Sequence, residues 1–196
     1  MQIAADFIRQ GKLVVFPTDT SYGLGANVTD ARAVTKIFQL KQRSLNKPLH
    51  IVVSSLQMAE DYAFVPESAL NLAQHFLPGP LTLVLRKREI ISDLLSGGKE
   101  TIGIRMPDNL IALALVERAG VPITATSANV SGQPDTYSIQ DAFDQLENKV
   151  DLYLDIGILP QKPPSTILDL TLDPPKVIRE GPIPTNKILK KLKNAL

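Results

Sequence analysis

Three cations fall within seven residues at Lys41, Arg43 and Lys47, between a helical pattern and a short apolar run. Arg43 is charged at any working pH and the two lysines near neutrality. Held this close they repel, and a chain that gathers them usually offers them to a polyanion. A solvated helix end is the competing explanation, because Lys and Arg in a last turn complement the helix dipole. Other segments tip the balance. Polar, small or cationic residues stand at the ends of several predicted strands: Thr18 and Thr20, Arg105, Ser127 and Asn129, Ser165, and Arg179. Ligands of open sheets flanked by helices collect in the crevice at strand ends, where separate segments converge. Arginines from three segments plus a lysine suit a triphosphate: guanidinium grips phosphate or carboxylate through two parallel N–H bonds, and ammonium acts as a point charge. Ser127 and Asn129 add neutral donors. No Gly-x-x-x-x-Gly-Lys-Ser/Thr loop is present, which argues against an ordinary P-loop nucleotidase. These residues together point to an anion pocket and leave the reaction open.

The bulk numbers limit the alternatives. A chain of 196 residues can bury a substantial core as one domain, or at most two small ones. Lys+Arg 21 against Asp+Glu 20 leaves almost no net charge, so an anion site must be local and not the whole surface. The absence of cysteine excludes a disulfide scaffold, a thiolate–zinc site and a cysteine nucleophile. His50 and His75 are too few for a histidine-rich metal cage. Residues 1–11 do not resemble a secretory signal, and no apolar run reaches the roughly 18 residues of a membrane span. The expectation is a soluble protein of the cytoplasm without a membrane partner.

The elements that must position these residues follow from spacing. Ile3, Phe7 and Ile8 mark a helix, and residues 13–16 a buried strand. Residues 18–25, with four small polar side chains and two glycines, suit a turn that exposes backbone N–H groups. Thr29 or Asp30 caps a helix through Leu40 with Ala33, Val34, Ile37 and Phe38 inward. Strands are predicted at 49–53, 81–85, 101–105, 122–125, 152–156, 165–169 and 176–179. Helices are predicted from Ser54 or Ser55, from Pro66 to Phe76, at 109–119 and at 138–146. Residues 87–100 look like a mobile connection around Gly97-Gly98. From Thr185 a Lys-rich tail carries Ile188, Leu189, Leu192 and Leu196, and a solvated helix face is the safer expectation for it. Mixed strands and helices indicate an α/β (α+β) single domain with a mixed sheet.

Several stretches match a known pattern in order: Pro17-Thr18-Asp19-Thr20-Ser21-Tyr22-Gly23-Leu24-Gly25, Lys41-Gln42-Arg43, Lys47-Pro48-Leu49, Pro78-Gly79-Pro80-Leu81-Thr82 and Arg105-Met106-Pro107. Ser127-Ala128-Asn129-Val130-Ser131-Gly132, Ser165-Thr166-Ile167-Leu168-Asp169 and Arg179-Glu180-Gly181 continue it. Over about residues 10–182 the chain resembles the YrdC-like family, whose characterised members are threonylcarbamoyl-adenylate synthases of transfer RNA modification. Parts of it are also similar to the YciO-like subgroup, whose activity is uncertain, although Lys-x-Arg and Ser-x-Asn are intact here. It resembles the short, stand-alone type. The resemblance implies a twisted mixed parallel/antiparallel sheet flanked by helices around a large concave cavity, with residues 1–182 as the catalytic domain and 183–196 as a basic helix or tail. It implies ATP, L-threonine and bicarbonate or carbon dioxide as substrates, with Mg2+ carried on the nucleotide and no organic cofactor. By the same resemblance Lys41, Arg43, Ser127, Asn129 and Arg179 contact the nucleotide, with Lys47 and Thr101 as further candidates. Thr18, Thr20, Arg105, Ser127 and Ser165 fall on the threonine side. Transfer RNA or other RNA, and the transferase proteins that use the product, are the implied partners.

No covalent intermediate is expected, because phosphoryl-type displacement asks for positioning and charge neutralisation. Asp19 is either a general base or, more in keeping with a turn, a hydrogen-bonding spacer. An RNA-binding module and an inactive paralogue that holds nucleotide without turnover are the rival functions. His50 either faces the pocket or packs in the interior, and packing is the safer expectation. His75, on an apolar helix, reads as structural.

Overall fold

In the computed structural model, which describes residues 1–193, Gln2–Arg9 forms α1 and Val14–Pro17 forms β1. A tight turn over residues 18–21 leads into β2 (Tyr22–Gly25), antiparallel to β1. α2 (Ala31–Leu40) starts at Asp30, whose carboxylate accepts from the backbone N–H groups of Arg32 and Ala33. The cationic loop leads to β3 (His50–Val52), then α3 (Leu56–Glu60), β4 (Ala63–Phe64), α4 (Glu67–Phe76) and β5 (Leu81–Lys87). α5 (Asp93–Ser96), β6 (Thr101–Arg105), α6 (Leu110–Ala119) and β7 (Ile123–Ser127) follow. α7 (Ile139–Leu146), β8 (Leu152–Tyr153), β9 (Thr166–Asp169), β10 (Lys176–Arg179) and α8 (Thr185–Lys193) complete the described chain.

The strands make one mixed sheet in the order β10-β9-β5-β6-β3-β7-β2-β1-β8, with β4 beside β5. Side chains alternate across a strand, so the pairing registers sort them onto two faces. Val15, Leu24, Ile51, Leu83, Ile104 and Leu168 share the larger core with residues of α2, α4, α5, α7 and α8. Val14, Phe16, Val52 and Ile123 belong to the second core, under Ala4 and Ile8 of α1 and Ala112, Leu115 and Val116 of α6. Among the described residues α1 and α6 supply the buried helical side chains of this second face, with Met58 of α3 partly buried against it, and they cover part of it. On the remainder the strand residues turn small or polar: Gly23 opposite Ser127, His50 opposite Ala125, and Arg105 opposite Thr82. The place where alternation stops being apolar is the place where no helix lies.

Three sequence expectations are revised. The glycines of the 18–25 stretch do not open a turn. Only residues 18–21 turn, and a Cβ on either Gly23 or Gly25 would lie 3.0 Å from the ring of Phe16, so these glycines let β2 pass beneath that ring. Residues 87–100 are not a loose connection. Ser92 caps α5, Ile91 and Leu95 are buried, and Gly97 closes the helix at φ +62°, a backbone angle suited to glycine. One turn of helix is too short to leave a periodic signal. The C-terminal segment is a docked helix and not a solvated one: Ile188 and Leu192 are buried in the core shared with α4. Leu196 lies outside the described residues.

Because Ile188 is fully buried, Ile188→Ala should destabilise the protein by roughly 2–4 kcal/mol. Urea unfolding checks this, and an unchanged midpoint would mean that α8 is dispensable to the fold.

Candidate active site

The uncovered sheet face is the floor of a cavity of about 230 Å³, walled by the 18–22 turn, the cationic loop, and the segments around Ser165 and Arg179. On its lining stand Arg43, Arg105 and Arg179 together with Thr18, Thr20, Ser127 and Ser165. Nine of the eleven sequence candidates are therefore in or directly behind one site, counting Lys41 and Asn129 with Ser127. Lys47 and Thr101 are placed otherwise.

Arg105 ends β6 and is held by Asp19 in a mostly buried ion pair, while its second contact donates to Thr20 Oγ1 at 3.0 Å. Thr20 and Thr18 hydroxyls lie 3.1 Å apart, and Thr18 Oγ1 accepts from the backbone N–H groups of Thr20 and Ser21. Thr18 thus builds the turn and Thr20 faces the guanidinium. Asp19 is a counter-ion that holds the Arg105 guanidinium at the end of β6. Arg105 Nε and Asp19 Oδ2 are buried and, among the described residues, have no hydrogen-bond partner. Unpaired buried polar atoms cost free energy, so this pair retains capacity for a polar ligand. Burial lowers the Arg105 pKa and the Asp19 charge opposes that, which keeps the guanidinium charged.

On the opposite wall Ser165 is buried, with its hydroxyl 2.8 Å from Thr82 Oγ1. Arg179, at the rim, donates to the Ser165 carbonyl from Nε (3.0 Å) and Nη2 (2.8 Å). Arg43 donates to the carbonyls of Lys47 and Pro48 at 3.1 and 2.8 Å, which folds the cationic loop around its own guanidinium. Lys47 contributes that carbonyl, while its side chain is exposed and off the lining.

Lys41 lies off the cavity lining. It is buried, and its ammonium donates to Ser127 O (2.5 Å), Asn129 O (2.6 Å) and Asn129 Oδ1 (2.9 Å). All three ammonium protons are used within the protein. Asn129 is likewise behind the lining, with Oδ1 accepting from Ser127 Oγ at 2.6 Å and Nδ2 donating to Gln133 O at 2.6 Å. Lys41 and Asn129 hold the 127–133 loop, and Ser127 presents it to the cavity. Burial, then the charge of Arg43, pull Lys41 down to about 7, with Asp135 opposing them. Thr101 is the other correction. It opens β6 opposite Arg86, four residues before Arg105, and lines a separate groove with Phe64 and Arg88.

Two cavity residues carried no motif. Asp135, in the loop after β7, is the one carboxylate on the lining among the described residues, and its sequence neighbours give no periodic signal. His50 faces the cavity, contrary to the packing expectation, because Gly103 and Ala125 on the flanking strands leave space for its ring. No three His, Cys, Asp or Glu side chains among the described residues group as a metal cage. Asp135 is, among the described residues, the one side chain on the lining that could help hold a cation carried in on a ligand. Among the described residues no helix is long and apolar enough to cross a membrane.

Fold and site define an α/β protein with a cation-rich, hydroxyl-rich cavity on its sheet. The chain belongs to the Sua5/YciO/YrdC family, whose family model, described as "Telomere recombination", matches residues 6–181. It is 44% identical over 191 residues to the threonylcarbamoyl-AMP synthase of Pyrococcus abyssi, covering 97% of this chain and 56% of that protein. It is 37% identical over 180 residues to the uncharacterized protein YciO of Escherichia coli K12, covering 91% of this chain and 87% of that protein. The crystal structure of P. abyssi Sua5 complexed with L-threonine superposes with a TM-score of 0.94 at 44% identity, over 97% of this chain and 56% of that one. That of E. coli YciO gives 0.86 at 34% identity, over 95% and 91%. The chain thus spans about half the length of the P. abyssi synthase and most of YciO.

Removal of the Lys41 ammonium takes a donor from the carbonyls of Ser127 and Asn129 and one of two donors from Asn129 Oδ1, so Lys41→Met should cost on the order of 3 kcal/mol of stability. Arg43→Ala should cost less, about 1 kcal/mol, since each of its two bonds is to a loop carbonyl. Denaturant midpoints of the two variants check the ordering, and the reverse ordering would contradict a structural role for Lys41.

Proposed function

We propose that this chain is an L-threonylcarbamoyladenylate synthase of the cytoplasm. It converts ATP, L-threonine and bicarbonate (or carbon dioxide) to threonylcarbamoyl-AMP and pyrophosphate, for threonylcarbamoyladenosine modification of transfer RNA. One observation carries the reading: Arg43, Arg105 and Arg179 converge on one cavity that Thr20, Ser127 and Ser165 also line. The synthase named among its relatives, and the L-threonine complex of P. abyssi Sua5, supply the substrate class.

In this reading Arg43, Arg179 and Ser127 meet the nucleotide phosphates, while Lys41 and Asn129 act through Ser127. Lys47 and Thr101 drop out of the contact set. Arg105, whose buried Nε has no protein partner among the described residues, takes the threonine carboxylate beside Thr20. Thr18 supports that turn, and Ser165 with Thr82 offers hydroxyls to the threonine side chain. The amine attacks the carbon of carbon dioxide, and the carbamate oxygen then displaces pyrophosphate in line from the α-phosphorus. Fixed guanidinium groups spread the charge that moves to the leaving group, and such preorganisation costs nothing at the moment of reaction. Magnesium on the phosphates would add to that neutralisation. The mixed anhydride passes to the transferase proteins that modify transfer RNA.

An RNA-binding module has less support. Its cations would lie in an exposed stripe, whereas Arg105 is recessed in an ion pair and the lining surrounds only about 230 Å³.

Purified protein should release pyrophosphate from ATP only when both threonine and bicarbonate are present. Arg43→Ala should lower kcat/KM for ATP by roughly 10²–10³-fold, about 2.7–4 kcal/mol of transition-state stabilisation. Arg105→Ala should raise KM for threonine more than it changes KM for ATP. Nucleotide binding without threonine-dependent turnover would point to the inactive paralogue instead.

A further inference from the structure

We propose that the imidazole of His50 is the catalytic base of this site, accepting the proton that the substrate nitrogen sheds as it bonds to carbon. This rests on the threonylcarbamoyl-AMP reading above.

The position is a built one. His50 opens β3 with its side chain on the uncovered face, between Gly103 of β6 and Ala125 of β7. A Cβ on Gly103 would lie 2.5 Å from the His50 ring, so any other residue there would evict the imidazole. Glycine inside a strand weakens it and often marks a close approach, and here the close approach is this ring. The other carboxylate and amine candidates are committed: Asp19 to Arg105, and Lys41 to the 127–133 loop. Asp135 is the remaining carboxylate on the lining, and its charge acts on Lys41 and Arg179. His50 is the single imidazole on the lining among the described residues.

Three cations face this ring from three segments: Arg43 in the cationic loop, Arg105 on β6 and Arg179 on β10. Burial first, then these charges in the order Arg179, Arg43 and Arg105, bring its pKa from 6.5 down to about 4. The ring is therefore proton-free at working pH, yet a weak base. A triphosphate on the same arginines offsets their charge and raises the affinity of the ring for a proton. Nucleotide binding would in this way switch on the base, and an ideal catalytic pKa lies near the operating pH.

The proton balance closes with one acceptor. An α-ammonium and bicarbonate give a carbamate, water and one proton. The N–C bond forms, a C–O bond of bicarbonate breaks, and the departing oxygen leaves as water with one ammonium proton. The remaining proton goes to His50 and then to solvent, while the carbamate oxygen displaces pyrophosphate.

The chain has two histidines, so 15N-histidine NMR of the intact protein resolves His50 against His75. His50→Gln assigns the signal. The His50 pKa should lie below 5 alone and rise by at least one unit with a saturating α,β-methylene ATP analogue and magnesium. His50→Gln should lower kcat at least tenfold with KM for ATP changed less than threefold, and the acid limb of the wild-type kcat profile should follow the nucleotide-bound pKa. An unmoved pKa in the wild type would overturn the proposal even if the variant fails to fold. So would wild-type kcat in a folded variant. A wild type that moves the pKa but shows no threonine-dependent pyrophosphate release would remove the functional reading, and the base with it.

Discussion

Three guanidinium groups from three distant segments share one small cavity, and their mutual repulsion is the constraint that the rest of the structure answers. Like charges brought together in a partly dehydrated recess are unfavourable unless the protein offsets them or a ligand does. The protein offsets them unevenly. Arg105 has Asp19 as a true counter-ion. Arg43 rests on the carbonyl dipoles of Lys47 and Pro48, and Arg179 on the carbonyl and hydroxyl of Ser165 with the Asp135 charge acting on it. The deficit of negative charge is thus largest at Arg43, while Arg105 is neutralised by a counter-ion of its own.

A cavity of this kind needs an open sheet face, and small residues provide it. Had the apolar alternation of β1 continued into β2, β6 and β7, another helix would have been needed to cover it. Instead Gly23, Gly103, Ala125 and Ser127 interrupt it. Phe16 closes the floor at one end, its ring lying over Gly23 and Gly25. Burial of a side chain of this size contributes roughly 1.5–3 kcal/mol, so the boundary between packed face and open cavity is itself stabilised. The same face serves as core under α1 and α6 and as binding surface beyond them.

Much of the architecture was legible because local chemistry and tertiary need coincide. Of the caps expected at Thr29 or Asp30 and at Ser54 or Ser55, Asp30 and Ser55 serve, and the helices expected from 109 and 138 start at the caps Asn109 and Ser138. The site was legible as a set of polar strand ends, and most of these converge. What was not legible depended on pairing. Whether Gly23 serves a turn or a neighbour's ring depends on Phe16, which becomes its partner only through the β1–β2 register. His50 faces the cavity because of Gly103, more than fifty residues away. Thr101 and Arg105 share a strand and even a face, yet the length of β6 puts them in different grooves. Motif matching cannot separate a residue on the cavity lining from one that holds such a residue from behind, as Lys41 demonstrates.

That separation bears on how the paired signatures Lys-x-Arg and Ser-x-Asn should be understood in this chain. Lys41 and Arg43 are two residues apart, but Gln42 between them takes φ +51°, and the two side chains part. Lys41 turns inward to Asn129 and the Ser127 carbonyl, and Arg43 turns to the cavity. One member of each pair, Lys41 and Asn129, therefore bonds to the other behind the wall, while Arg43 and Ser127 stand in front of it. An ammonium with compact, rotatable donors suits three converging oxygens, and a planar fork suits a phosphate edge. Exchange of Lys and Arg between the two positions would spoil both functions at constant charge, because what the positions require is different geometry.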